Sequence, residues 1–253
     1  MRLLVWDDGS VVEASQFSLR NPYVLQRIHT LGYKAYNLER HIALMREASV
    51  ELFGFASLCR AEDAARIITK LLETSRVSPT LSCPVAMRLD SSGRLSFEVE
   101  SPIFTHGYDL RASRPVAALI RADMPDSVVQ TSVSVAVDAM MYSRISGYGD
   151  VDLWVNDAEE LISRPWCPVF TVYAGRVYTP VEYDSVEYVI ARDAMRRAGV
   201  ELIVRSIPLS ALLRMEEVFI VDIMGMTSVA SIKEHRLLSM TALRIADRME
   251  PKP

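Results

Sequence analysis

The stretch Asp152-Leu-Trp-Val-Asn-Asp-Ala-Glu-Glu-Leu-Ile-Ser163, the run Pro168-Val-Phe-Thr-Val-Tyr-Ala-Gly-Arg-Val-Tyr-Thr-Pro180 and the segment 184–199 together set the architecture. Residues 152–155, 168–173 and 176–178 are short runs rich in β-branched and aromatic side chains, with Ala174-Gly175 as the turn between the last two. Residues 184–198 then change period: Val186, Val189, Ile190, Ala194 and Met195 recur on one helical face, and Gly199 closes the helix. A further strand follows at 202–204, and these strands belong to a sheet of the C-terminal half.

Toward the N-terminus the same alternation appears. A strand at 3–6, the turn Asp7-Asp8-Gly9 and a buried run at 22–28 precede a helix starting at 37, whose face is Ile42, Met45, Ala48 and Leu52 and whose stop is Gly54. Residues 61–75 predict a second helix, with Glu62 and Asp63 in its first turn and Ala65, Ile68, Leu71 and Leu72 facing inward. Runs at 84–89 and 94–100 around Asp90-Ser-Ser-Gly93 predict a hairpin, and 108–119 a continuation of that sheet. The proline-bearing stretch 121–127 marks a junction. Beyond it come a helix at 135–145, the strands already described, a strand at 217–223 and a last helix at 239–249. The expected class is α+β, mixed α/β, in two lobes: 1–118, a connecting loop 119–132, and 133–253.

Half of the 253 residues are apolar and the net charge is −4, with no Lys/Arg run longer than two, which argues against nucleic acid as a partner. Asp7 and Asp8 break the first apolar stretch, and no apolar run reaches the length of a membrane span, so cytoplasmic residence without a membrane is expected. Cys59, Cys83 and Cys167 lack metal or disulfide spacing, and no histidine-carboxylate set has helix-face metal spacing, so no metal is expected. Ten glycines, against about eighteen at average usage, leave little room for several phosphate-cradling loops.

Asn37-Leu-Glu-Arg-His41 with Glu51-Leu-Phe-Gly54, the central stretch quoted first, and Ala198-Gly-Val-Glu-Leu with Leu209-Ser-Ala-Leu and Glu216-Glu-Val-Phe-Ile220 follow one another in an order that resembles the fold type IV pyridoxal-phosphate proteins, the class IV aminotransferases and aminodeoxychorismate lyases. That resemblance implies two lobes with a cleft between them, and a homodimer. It also implies a lysine forming a Schiff base, a carboxylate on the pyridine nitrogen and a phosphate cup.

The chain departs from each. The lysine position falls near Gln130, Thr131 or Ser132, and the only lysines are Lys34, Lys70, Lys233 and Lys252. Ser163 stands where the resemblance places the carboxylate, and a hydroxyl cannot favour pyridinium by charge. His29, Ser185-Val-Glu187 and Val221-Asp-Ile223 stand at the phosphate cup, where Glu187 and Asp222 would repel a dianion. The expectation is therefore a divergent member that binds no pyridoxal phosphate, serving as a small-molecule-binding or accessory protein or as an enzyme of another reaction. The alternatives are an active pyridoxal-phosphate aminotransferase or lyase with displaced residues, and a structural partner with a filled cleft.

The cleft candidates are His29, Ser163, Arg164, Cys167, Thr227 and Ser228, with Tyr33, Tyr36 and Tyr142 nearby. Cys167 beside His29 would suit thiolate chemistry. Arg164 would bind a carboxylate ligand or fill the site. Thr227 and Ser228 would offer hydroxyls to an anion. His41 is read as satisfying a local hydrogen bond, His106 and His235 as loop residues, and Met140, Met141, Met224 and Met226 as core.

Overall fold

The computed structural model describes residues 3–103, 107–123, 127–145, 147–223 and 225–251; His106, Met224 and Lys252 fall outside them. The chain is mixed α/β with three sheets and six α-helices among the described residues. It divides into two compact units. One comprises 1–107, 127–133 and 251–253, the other 108–126 and 134–250.

The first unit is built on a seven-stranded sheet in the order Ser10–Glu13, Leu4–Asp7, Leu95–Val99, Cys83–Asp90, Tyr23–Leu31, Lys34–Ala35, with Gln130–Thr131 also paired to Tyr23–Leu31. Every pairing is antiparallel. The predicted hairpin turn is fixed by its aspartate: Asp90 Oδ1 accepts the backbone N–H of Ser92 at 2.8 Å and of Arg94 at 3.1 Å. Helices Leu38–Phe53 and Ala61–Thr74 pack on the sheet. Ile42, Met45 and Ala48 are buried as their spacing requires, whereas Leu52 is exposed and Ala64 rather than Ala65 faces inward.

The second unit holds two five-stranded sheets. In one, the order is Leu161–Ile162, Val151–Val155, Val116–Arg121, Ser231–Ile232, His235–Arg236. In the other it is Leu202–Val204, Arg176–Thr179, Val169–Tyr173, Glu217–Asp222, Gly225–Ser228. Arg176–Thr179 and Leu202–Val204 pair in parallel, so the helix Val186–Arg197 between them is a crossover. Its start is capped by Ser185 Oγ, which accepts the N–H of Tyr188 at 3.3 Å, and Gly199, at φ +65°, follows its last turn. The final helix, Met240–Ala246, is capped from a strand: the buried Glu217 carboxylate accepts the N–H groups of Thr241 at 2.7 Å and Ala242 at 2.9 Å.

Three expectations need correction. The boundary at 118 is misplaced, because Val116–Arg121 pairs in parallel with Val151–Val155 and so belongs to the second unit, while residues 127–133 return to the first. His235 sits in a strand, its Nε2 2.8 Å from the carbonyl oxygen of Met215. Met140 is exposed; Met141 and Met226 are core.

Candidate functional site

In the second unit, helix Ser132–Ile145 presents Val137, Met141 and Ile145 to Ile120 and Trp154 of the sheet. One acid, Asp138, sits in this otherwise apolar run. Period two along Val151–Val155 puts Asp152 on the same face as Trp154. Arg164 joins the three. Its Nη1 donates to Asp138 Oδ1 at 3.1 Å and to Asp152 Oδ2 at 3.0 Å, and its guanidinium lies 4.6 Å from the Trp154 ring centroid. Trp154 Nε1 donates to Asp152, and Trp166 Nε1 to Asp138 Oδ2 at 2.8 Å. Burial opposes the charge of Arg164, yet Cys167, Asp152 and Asp138 raise its pKa above the usual arginine range. Both of its charge partners come from within the chain, and both are reached through Nη1.

Ser163 and Cys167 flank it. Ser163 Oγ accepts the N–H of Val169 at 3.1 Å, and its carbonyl accepts the hydroxyl of Tyr183 at 2.5 Å. The Cys167 N–H donates to the Arg164 carbonyl at 3.1 Å. Burial pushes the Cys167 thiol up to about 12 despite the opposing effect of Arg164, so the thiolate is scarce at neutral pH. Thr227 and Ser228 occupy opposite faces of their strand, paired across from Ile220 and Phe219 respectively. Thr227 lines a cavity of about 610 Å³ together with Asp152 and Asp222. Ser228 is fully buried, and its hydroxyl has no partner among the described residues. Of the residues around Arg164, sequence reasoning named Trp166 but missed Asp138, Asp152 and Trp154. Their signal was a charge among apolar neighbours, Asp138 in its helix and Asp152 in its strand.

His29 lies in the first unit, on strand Tyr23–Leu31, buried and close enough to His41 for their charges to interact. Cys167 belongs to the other unit. His41 Nδ1 is 2.7 Å from Gln26 Oε1, a bond from helix to strand rather than a local one. Desolvation, with Arg40 and His29, lowers its pKa to about 3, so the folded ring stays neutral. The unfolded chain takes up that proton near pH 6.5 and the folded chain does not, so stability falls as pH drops from about 6.5 toward 3, by about 1.4 kcal/mol per unit. Urea unfolding at pH 6.5 and pH 5 is expected to differ by about 2 kcal/mol more in the native chain than in His41→Gln. Equal slopes in the two proteins would reject this role.

The positions set against a phosphate cup can be tested on geometry. Glu187 is buried in the first turn of its helix, and Asp222, at the end of its strand, lies 3.6 Å from Arg111 Nη2. The fully buried phenol of Tyr108 is raised well above its usual pKa by burial and by the Glu187 and Asp222 carboxylates. A dianion placed there would meet two carboxylates, and residues 71–232 contain no lysine for an imine. No helix is long and apolar enough to cross a membrane, and no His/Cys/Asp/Glu group suited to a metal occurs among the described residues.

No protein-family model matches the chain, and no curated protein is similar to it in sequence. Solved structures do resemble it. An aminotransferase from Brucella abortus bound to the cofactor PLP superposes with a TM-score of 0.78 at 15% identity, covering 98% of this chain and 97% of that one. The branched-chain aminotransferase of Thermoproteus uzoniensis with norvaline gives 0.77 at 17%, covering 98% and 94%. The T.th. branched-chain amino acid aminotransferase with pyridoxamine 5′-phosphate gives 0.76 at 13%, covering 98% and 92%. At these identities the likeness shows the fold, that of the class IV aminotransferases. It also corrects the expectation of no cofactor: structures of this fold carry PLP and pyridoxamine 5′-phosphate, which points to pyridoxal phosphate rather than to none.

Proposed function

We propose that the chain uses the class IV aminotransferase fold as a small-molecule-binding protein that does not transfer amino groups. The observation that carries this reading is the Arg164 cluster. Beside the position where the resemblance calls for a carboxylate on the pyridine nitrogen, Arg164 is paired with Asp138 and Asp152 and stacked on Trp154. With the Arg164 charge paired within the chain and the Ser163 hydroxyl accepting a backbone N–H, neither side chain is set up as a base for proton transfer. The absence of lysine from 71–232 supports the same reading.

The test is an assay for 2-oxo acid formation from a panel of L-amino acids with 2-oxoglutarate and excess pyridoxal phosphate, the cofactor of the fold's solved members. Borohydride reduction and peptide mass spectrometry follow. No oxo acid above the protein-free rate is the expected result. Turnover together with a stoichiometric label on one of Lys34, Lys70, Lys233 or Lys252 overturns the proposal. It would establish the second reading, favoured by the cofactor-bound neighbours, of an active pyridoxal-phosphate aminotransferase or aminodeoxychorismate lyase with displaced residues.

A further inference from the structure

We propose that the cavity of the second unit binds an organic cation, a protonated amine or guanidine without a carboxylate. The inference rests on the reading of the chain as a small-molecule binder and names the class of ligand. At about 610 Å³ the cavity is of ligand size. Its inner wall carries Asp152, Asp222, Ile220 and Thr227, and its rim Asp150 and Tyr142.

Two polar atoms there have no hydrogen-bond partner among the described residues. Asp152 is 8% exposed; its Oδ2 receives Trp154 and Arg164, while Oδ1 takes no hydrogen bond among the described residues. Thr227 is 2% exposed, and its hydroxyl has no partner there either. A buried hydroxyl left unmatched is costly unless something pairs with it, and the open carboxylate oxygen beside it can accept from the same group. An ammonium or guanidinium has donors to spare. The Tyr142 ring at the rim offers a face to the same charge, and Ile220 an apolar wall to the body that carries it.

The cations of the wall are already engaged, which decides against an anion or an amino acid. Arg111 lies 3.6 Å from Asp222. Arg114 Nη2 donates to the carbonyls of Val229 at 3.1 Å, Leu237 at 2.7 Å and Leu238 at 3.1 Å. A ligand carboxylate would have to displace one of these contacts, or sit beside Asp150 without a counterion.

Isothermal titration of the full chain with benzylamine and agmatine, against L-leucine, tests the site. Both amines are expected to bind, and L-leucine about tenfold or more weakly. Thr227→Val, which replaces an unmatched hydroxyl with a methyl of the same shape, is expected to fold normally and to weaken amine binding about tenfold. Tyr142→Ala, at an exposed position, should weaken it about threefold. Failure of both amines to bind, equal binding of L-leucine, or unchanged affinity in both variants overturns the proposal. Absence of amine binding without oxo-acid formation would remove the cation site and leave the non-transferring reading in place. Oxo-acid formation would remove that reading and not the site.

Discussion

Arg164→Met is expected to lower the thermal midpoint by about 10 °C, one of the largest effects of a single substitution in this chain. The guanidinium is a cation shared by Asp138 and Asp152, and its side chain and that of Asp152 are each only 10% exposed. Truncating one member of a buried ion pair leaves the other charge desolvated and uncompensated, at about 3–5 kcal/mol. The partial exposure of Asp138 reduces its share. Trp154 also loses the cation over its ring, and Asp152 keeps only the indole N–H. Scanning calorimetry at low and high salt checks this, and the loss should persist in salt because the charges are buried. The decisive comparison is the triple substitution with Asp138→Asn and Asp152→Asn. It removes all three charges and should recover most of the midpoint, since a neutral cluster has nothing left to compensate. A midpoint for Arg164→Met within about 1 °C of the native value would mean the cluster does not hold the second unit together.

Gly225→Ala is expected to be the other severe change. At φ +109° an L side chain is strained whatever space surrounds it. Here there is no space: a Cβ would stand 2.6 Å from the carbonyl oxygen of Asp109 and 3.3 Å from its nitrogen, both backbone atoms with no rotamer to escape into. The segments meet closely because they form a small ladder, with the Met226 N–H donating to the Asp109 carbonyl at 3.0 Å and the Arg111 N–H to the Met226 carbonyl at 2.8 Å. Relieving the clash means opening it, so a loss of about 3 kcal/mol or more in urea unfolding is expected. Arg111 and Thr227 flank that ladder, so amine binding in the cavity should disappear as well. A variant with native stability and native binding would contradict the close approach.

The helices were legible in the sequence because their information is local. Ile42, Met45 and Ala48, and likewise Val186, Ile190, Ala194 and Met195, repeat at the helical period within a dozen residues, and glycines mark the ends. The boundary near residue 118 was not legible, because Val116–Arg121 finds its partner some thirty residues on, in a parallel pairing that no turn announces. The candidate site was half legible for the same reason. Ser163, Arg164 and Cys167 stood out as departures from a resembled pattern. What Arg164 does depends on Asp138 from a helix and Asp152 from a strand, brought together only by folding. The cofactor was misjudged in another way: substitutions at three positions argue against a ligand that solved structures of the fold carry.

Residues 127–133 return to the first unit after the chain has already contributed Tyr108–Asp126 to the second. On a ribosome this imposes an order of events. When residue 107 emerges, the long strand Tyr23–Leu31 still lacks its Gln130–Thr131 neighbour, so the nascent sheet waits with an open edge while the first strand of the other unit is being made. A fragment ending at 107 is therefore a poor stand-in for the first unit. Grafting residues 127–133 back onto it through a short glycine-serine linker is the way to express that unit alone.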